Sequence, residues 1–557
     1  MLSSREFATT TTCNRTIEIL YLTRRVEMLR SRNFWLSILT LLLCPAPLLA
    51  QRQAPPGMFK DLDDEILGDA LVIHGKQLFI DDYVIGELQG VQKTLNQPVK
   101  HPQNPVLKRD RPSDGFATDY GTVVFDPKDR RFKMWYQILQ GTAKEGASHQ
   151  YLVGFATSAD GIHWEKPITN QQADNNHIVM EPPERFLGGP GVMLDDRDEN
   201  PQRRFKMMYV ANPEAKPSSL STRIAYSADG IHWKQEPANP VIPFSDTQIA
   251  PYWDQRLGRY VAHLRFGPPN TRVVSRIESA DFLHWSPKVT VLRKTKLDAP
   301  LSTEFYTMTG VPYEGVYIGL LNTYNYETIS PIPADKQWWD RVNNQLVFSR
   351  NGVTWQRVVK NGVISPSELK DNRDWKREAE QATFLPYGTT DDAWDWGQVY
   401  PHHPPLVVGD EIRFYYGGTR NRHWLNYHPE PINSGVGLAT LRLDGFVSVN
   451  AGAEAGSLTT KPLVFFGDTL EINANAEGGS LTVEALDAEG KVIEGFGVSD
   501  CTPITSNSVR HVVKWKDNTD CHLLQARPIK LRFHLKNTKL YAFEPRIKQN
   551  HYLQSYD

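Results

Sequence analysis

Ser158-Ala159-Asp160-Gly161-Ile162-His163-Trp164 recurs along the chain as Ser227-Ala228-Asp229-Gly230-Ile231-His232-Trp233, then as Ser279-Ala280-Asp281-Phe282-Leu283-His284-Trp285 and Ser349-Arg350-Asn351-Gly352-Val353-Thr354-Trp355. Copies about 50 to 70 residues apart, each holding one tight turn, are what a repeat architecture with one supersecondary unit per repeat produces. Asp or Asn ahead of Gly suits a hairpin, because Gly accepts positive φ and the polar side chain accepts hydrogen bonds from the turn's own amides. The Trp that follows offers a large apolar face for fastening the hairpin to its neighbour. The third copy has Phe282 in place of the Gly.

A second repeat runs ahead of the first. Asp129-Arg130-Arg131-Phe132-Lys133-Met134-Trp135-Tyr136 is echoed by Gln202-Arg203-Arg204-Phe205-Lys206-Met207-Met208-Tyr209, and more faintly by Leu257-Gly258-Arg259-Tyr260-Val261-Ala262-His263-Leu264. Each is a polar turn leading into an apolar, aromatic run of strand character. Together the two repeats give four strands per unit, which is a propeller blade. Blades are expected at Asp119–Pro167, Gly189–Gln235, Asp246–Lys288 and Glu304–Val358, with a fifth from Tyr400–Gly418 and Gly435–Val449. The strand-like stretch Gln77–Ile85 stands ahead of them, placed to close the ring by joining the last blade.

After Ala451 the pattern changes to alternating segments such as Ser480-Leu481-Thr482-Val483-Glu484-Ala485 and Ile529-Lys530-Leu531-Arg532-Phe533-His534. These predict an antiparallel β-sandwich of about 95 residues. The expected fold is therefore all-β, a five-bladed β-propeller followed by a C-terminal antiparallel β-sandwich. Its divisions are an N-terminal extension at 1–27, a signal peptide at 28–50, a linker at 51–77, the propeller at 78–450 and the sandwich at 451–557.

With 62 Lys and Arg against 64 Asp and Glu, the charge is nearly balanced, which argues against nucleic acid or an anionic membrane surface as partner. Leu36–Ala50 is a long apolar run preceded by Arg30 and Arg32 and ending in small residues and Pro. It has the form of a secretory signal starting at Met28 rather than of a membrane-spanning helix, so the protein is expected to be secreted or periplasmic. Cys501 and Cys521 remain once that segment is removed. In an exported protein they are expected to form one disulfide, closing a loop of about 20 residues for roughly 3 kcal/mol. No zinc or redox motif competes, and no cofactor is expected.

In a propeller, the residues before each inner strand and the loops after each second strand meet at one mouth of the central funnel. That placement selects Asp119 with Tyr120, Arg185, Asp246, Glu304 with Tyr306, and Asp395 with Gln398 and Tyr400. The loops add Trp338, His402, Arg420, Arg422 and His423, aromatic faces and planar donors suited to sugar rings. Asp119, Asp246 and Glu304 hold equivalent positions in three blades. Carboxylates converging on one funnel are what glycoside cleavage needs, one ionised and one kept protonated. The structural alternative is that each merely caps a turn.

The hairpins resemble the Asp-box turns of sialidases and other carbohydrate-active propellers. More widely, Leu78-Phe79-Ile80-Asp81-Asp82-Tyr83, the Ser-x-Asp-Gly-x-x-Trp turns, Gly409-Asp410-Glu411-Ile412-Arg413-Phe414-Tyr415-Tyr416-Gly417-Gly418 and Leu443-Asp444-Gly445-Phe446-Val447-Ser448 make most of residues 78–449 similar to the five-bladed propeller glycoside hydrolases of families 32, 43, 117 and 130. The resemblance implies a base or nucleophile at Asp119, within Thr118-Asp119-Tyr120-Gly121-Thr122-Val123, and an acid at Glu304. It also implies an Asp from blade two, where this chain instead has Leu187-Gly188-Gly189-Pro190-Gly191, leaving Asp246 to substitute.

The function expected is an exported hydrolase of a plant or algal poly- or oligosaccharide, with sulfate or uronate groups suggested by the arginines and histidines at the mouth. Two alternatives stay open. One is a glycoside phosphorylase holding phosphate on Arg420, Arg422, His402 and His403; the other is a non-catalytic carbohydrate-binding propeller.

Overall fold

The computed structural model describes residues 69–547 apart from 142–149, 185, 215–218, 244, 268–270, 295–297, 299–302, 326–339, 360–361, 364–381, 391 and 424–432. The expected signal peptide lies outside the described residues. Among those described, no helix is long and apolar enough to cross a membrane.

Five antiparallel blades follow one another along the chain. Blade I comprises Gly121–Asp126, Arg131–Gln140 and Gln150–Ser158, with an edge bridge from Thr157 to Glu165. Blade II comprises Gly188–Leu194, Phe205–Ala211, Ser221–Ser227 and His232–Gln235. Blade III runs Asp246–Asp254, Arg259–Phe266, Val273–Ser279 and Val289–Leu292. Blade IV runs Thr303–Tyr313, Val316–Asn325, Val342–Ser349 and Trp355–Val359. Blade V holds Gln398–Pro401, Glu411–Thr419 and Ser434–Arg442, and takes its outer edge from Val99–Lys100 and Leu107–Lys108.

The ring is closed one strand pair later in the chain than the sequence suggests. Gln77–Leu78 pairs with Thr538–Arg546, Ile85–Gln89 with Gly456–Thr460, and Gln92–Leu95 with Val447–Ala451, all within the sandwich. Val447–Ala451, expected in blade V, also leaves the ring to pair with Thr538–Arg546. The alternation of a strand explains the placement. Phe79 points into the sandwich core with Ile472, Val483 and Phe533, while its neighbours Leu78 and Ile80 pack on Ile318, Phe414 and Phe446 of the propeller side. Both faces of this short strand are buried, one in each body.

The sandwich is therefore built from two separated stretches of chain. One sheet orders Leu71–Val72, Leu463–Val464, Ile529–Lys536, Gly456–Thr460 and Ile85–Gln89, with Ser480–Asp487 also on Ile529–Lys536. The other orders Asn507–Val512, Thr469–Asn475, Thr538–Arg546, Val447–Ala451 and Gln92–Leu95. The expected disulfide is absent: Cys501 and Cys521 do not bond to each other. Cys501 Sγ accepts the Val483 amide at 3.3 Å, whereas the Cys521 amide and thiol face Asp468 and Gly467. Each sulfur is packed separately in the apolar core.

The repeated turns behave as their chemistry predicts. Asp160 Oδ1 accepts the Ile162 and His163 amides at 2.8 and 2.9 Å, and Ser158 Oγ accepts the Gly161 amide at 2.8 Å. Asp229, Asp281 and Asn351 repeat the pattern. Phe282 adopts the same left-handed backbone, φ 67° beside 77°, 84° and 73° at the three glycines. Its fully buried ring packs edge-on against Tyr260 and Trp285 at 5.2 and 5.5 Å, which offsets the backbone strain.

A second set of fasteners joins neighbouring blades at the end of the inner strands. Asp126 of blade I takes Lys133 of its own blade and both arms of Arg204 from blade II, at 2.7 to 2.8 Å. Asp195 of blade II takes Lys206 and, from blade III, the Tyr260 hydroxyl at 2.6 Å. Asp254 of blade III accepts the Tyr317 hydroxyl of blade IV.

Candidate active site in the propeller funnel

Inner strands of three adjacent blades are irregular at the end that carries the candidate residues. Register shifts fall between Gly188 and Gly191, between Asp246 and Ala250, and between Phe305 and Thr307. Bulges of this kind bend a strand and re-aim its side chains. In blade III the shift comes with a left-handed Thr247, φ 71°, whose hydroxyl donates to the Tyr120 hydroxyl of blade I at 2.7 Å.

Asp119 and Asp246 are brought to one region, and Glu304 is linked to it through Arg272, which faces both Glu304 and the Tyr306 ring. The Tyr151 phenol is pushed above its usual range first by burial and then by the charges of Asp119, Tyr306 and Asp246. Both carboxylates therefore act on a single tyrosine. The Tyr120 and Tyr400 rings meet at 5.0 Å, Tyr306 and Tyr400 at 6.1 Å, and Tyr306 and Tyr324 at 5.6 Å, an aromatic wall shared by blades I, IV and V. His423 completes it, its Nε2 2.8 Å from the Tyr306 hydroxyl.

The three carboxyl groups differ in surroundings. Burial raises Asp119 to about 7, so at neutral pH it is close to half protonated. Asp246 pairs with Arg265, its neighbour across the sheet, and accepts the Thr247 amide at 2.7 Å. Glu304 is 2% exposed and faces Arg272 Nε at 3.4 Å and Lys294 Nζ at 3.8 Å, with no hydrogen bond to either oxygen among the described residues. One carboxyl that holds its proton near neutrality thus stands beside two that are ion-paired.

The remaining predicted residues divide. Tyr120, Tyr306 and Tyr400 line the region, and His423 joins them. Gln398 and Tyr400 are bonded to one another at 2.8 Å, and the Gln398 amide donates to the Asn421 carbonyl, so Gln398 is scaffolding. Asp395 is a correction. It is buried, accepting Lys100 Nζ at 2.5 Å and the Tyr416 hydroxyl at 2.8 Å, and so ties the outer edge of blade V to its second strand. His402 is another: its ring is buried over Gly121, where a Cβ would lie 2.5 Å away, and Nε2 donates to the Asp119 carbonyl at 3.2 Å.

Burial holds His402 at about 3 and His403 at about 4, so neither is a cation at neutral pH. Arg422 is buried with its guanidinium 4.6 Å from the Trp396 ring, and Arg420 is partly exposed at the end of its strand. Arg185 and Trp338 lie outside the described residues.

The absent acid of blade II has a steric basis. Gly189 has φ 56°, donates its amide to Gln137 Oε1 at 2.6 Å, and a Cβ there would come within 2.6 Å of the Gln248 backbone. Blade III fills the space a side chain would need. Sequence reasoning missed Tyr151, Arg265, Arg272 and Lys294, which approach from the later strands of blades I and III and the loops that flank them. Arg265 was findable, since a charged residue inside the apolar run Tyr260–Phe266 demands a partner.

No family model and no curated protein matches the chain. Among solved structures it is similar to a glycoside hydrolase, at 15% identity and TM-score 0.39 over 64% of this chain and 92% of that one. It is similar also to an N-acetylgalactosamine deacetylase from F. plautii, at 13% identity and TM-score 0.41 over 64% of this chain and 97% of that one. A third is the Bombyx mori GH32 β-fructofuranosidase BmSUC1, at 13% identity and TM-score 0.37 over 82% of this chain and 94% of that one.

Proposed function

We propose that this chain is an exported glycoside hydrolase whose reaction centre is the Asp119, Asp246 and Glu304 cluster. The observation that carries the proposal is the contrast within that cluster. Hydrolysis of a glycosidic bond requires a carboxylic acid to protonate the leaving oxygen and a carboxylate to serve as base or nucleophile. Asp119, held at about 7 by burial, supplies the proton. Glu304 and Asp246, each facing cations, supply the negative charge. This reverses the roles that the family resemblance implies for Asp119 and Glu304, and it follows from their surroundings. Tyr306, partly open to solvent, offers a sugar ring an apolar face, and the buried Tyr120 and Tyr400 rings support it from behind.

The test is release of reducing ends from plant and algal polysaccharides by the wild type, Asp119→Asn and Glu304→Gln. Loss of at least a thousandfold in both variants, with the fold intact by circular dichroism, is expected. Full turnover in either variant removes that residue from the centre.

One observation favours a second reading, a carbohydrate-binding propeller without turnover. Gly189 leaves no room for an acid from blade II. Calorimetric binding of an oligosaccharide with no product formed, and only an affinity change in Asp119→Asn, would establish it.

A further inference from the structure

We infer that the funnel contains an oxyanion subsite, built from Arg265 and Arg272 over the face of Tyr306, that selects sugars bearing a carboxylate or sulfate group. The inference rests on the hydrolase reading for its substrate, but its geometry is independent of which carboxyl group is the acid.

Arg265 is 6% exposed and belongs to the second strand of blade III. One terminal nitrogen meets Asp246 and the guanidinium lies close to the Tyr306 hydroxyl, while the other terminal nitrogen, Nη1, is buried without a well-aligned acceptor among the described residues. An unmatched buried guanidinium donor is costly, and the usual reason for keeping one is that a ligand or ordered solvent completes it. Its carbon stands 4.6 Å from the Tyr306 ring, and that of Arg272 stands 5.5 Å from the same ring. Tyr306 is thus a shelf under two guanidinium groups, and its own ring is partly open to solvent.

These cations are not there solely to neutralise the carboxylates. The ion pairs at this rim bring Arg265 to Asp246, and both Arg272 and Lys294 to Glu304. The arginine–glutamate approach is 3.4 Å, and both Glu304 oxygens still lack a hydrogen bond among the described residues. Arg272 is therefore near enough to balance the charge yet keeps its planar donor fork for another acceptor. His423, beside the same tyrosine, reports the local sign. It is lowered to about 3, first by burial and then by Arg272 and Arg265. A planar fork on an aromatic shelf fits a carboxylate or sulfate in bidentate fashion, which a neutral hydroxyl does not match.

Two measurements on the full chain test the subsite. Calorimetric titration with sodium glucuronate and sodium sulfate, against sodium chloride at equal ionic strength, is expected to show binding of the first two alone. Arg272→Gln is expected to weaken it at least tenfold and Arg272→Lys less, with unfolding midpoints in chloride confirming that both variants fold. Anion binding no better than chloride, or unchanged in Arg272→Gln, overturns the subsite.

The second measurement compares polygalacturonate with its carboxyl-reduced form, and a sulfated galactan with its desulfated form. Turnover at least tenfold faster on the anionic member of one pair supports the subsite and says whether carboxylate or sulfate is the source. Equal turnover within both pairs overturns the subsite and leaves the hydrolase standing. Arg272-dependent anion binding with no cleavage of any of the four keeps the subsite and removes the hydrolase reading.

Discussion

Trp135 of blade I donates its indole N–H to the Gly230 carbonyl in the turn of blade II, at 2.6 Å. The same carbonyl accepts the Trp233 indole at 3.0 Å, and a Cβ on Gly230 would lie 2.6 Å from the Trp135 ring. The repeated turn is therefore a joint between blades, made by a side chain that belongs to the other repeat. Blade V does the same for blade I, since the Tyr415 hydroxyl donates to the Gly161 carbonyl at 2.7 Å.

Trp135→Phe removes that hydrogen bond and leaves a void in a fully buried position. A cost of about 2–3 kcal/mol is expected, roughly 1 from the bond and the rest from packing. Urea denaturation should show the loss, while activity per folded molecule stays near wild type because the turn lies away from the funnel.

Phe282→Gly sets two effects against each other. Relief of the left-handed backbone is worth about 1–2 kcal/mol, whereas removal of a fully buried Phe costs about 3–5 kcal/mol. Burial wins, so the variant is expected to be destabilised by about 2–3 kcal/mol even though it restores the residue found in the other turns. An unfolding midpoint above that of the wild type would contradict the ordering.

Asp119→Asn should raise stability while ending turnover. A carboxyl lifted from its ordinary value to about 7 weakens the fold progressively as pH rises from about 4 through 7, because the native state resists ionising it. Removing the ionisable group should stabilise the protein by roughly 1–3 kcal/mol at pH 8, with little difference at pH 4. Calorimetric melting of the two proteins at both pH values checks this. As proton donor, Asp119 also predicts that kcat/KM falls as pH rises above about 7.

Acid lability should begin unusually early. His263, His402 and His423 are held near 3 and His403 near 4, in each case chiefly by burial. Their unfolded counterparts take up protons near 6.5, so the stability they confer is complete above that pH and is lost as pH falls toward 4. Each contributes up to roughly 1.4 kcal/mol per pH unit in that window, and four together outweigh the opposite trend from Asp119. The denaturation midpoint is expected to drop steeply between pH 6.5 and 4.5.

Gly189→Asp, which restores the acid that the family resemblance leads one to expect from blade II, should fail. The left-handed φ of 56° and a 2.6 Å approach to the Gln248 backbone allow no side chain without moving blade III. A loss of roughly 3 kcal/mol or more is expected by denaturation, with no gain in turnover.

The propeller was legible because its signal is local and repeated: Asp160, Asp229, Asp281 and Asn351 each make the same turn with their own amides, whatever surrounds them. Where the early strand belongs was not legible. Leu78, Phe79 and Ile80 are apolar on both faces, and nothing in such a run says which sheet each face will meet. Asp119, Asp246 and Glu304 were expected at the heads of inner strands, and they stand there, Asp119 just before Gly121–Asp126 and the other two in the first residues of theirs. Arg265, Arg272 and Tyr151 were not legible, because they reach the funnel from a second strand, from the loop after it and from a third strand respectively, and their importance depends on what stands opposite. His402 and Asp395 carried the right chemistry for sugar binding, but their burial, which redirects them to internal partners, is a property of the folded ring. Cys501 and Cys521 are close in sequence, yet each sulfur faces a different backbone group in the sandwich.

Thr538–Arg546 is the strand on which Gln77–Leu78 lies, and Val447–Ala451 lies between it and Gln92–Leu95. Among the described residues, the early strand Gln77–Leu78 thus has no seat until the late strand Thr538–Arg546 has been made. Assembly of the sandwich must wait for the whole ring to be synthesised, and a chain released early would expose Phe79 and Val84 with nothing to cover them. The sandwich is in this sense a seal on completeness, set only on molecules that carry every blade.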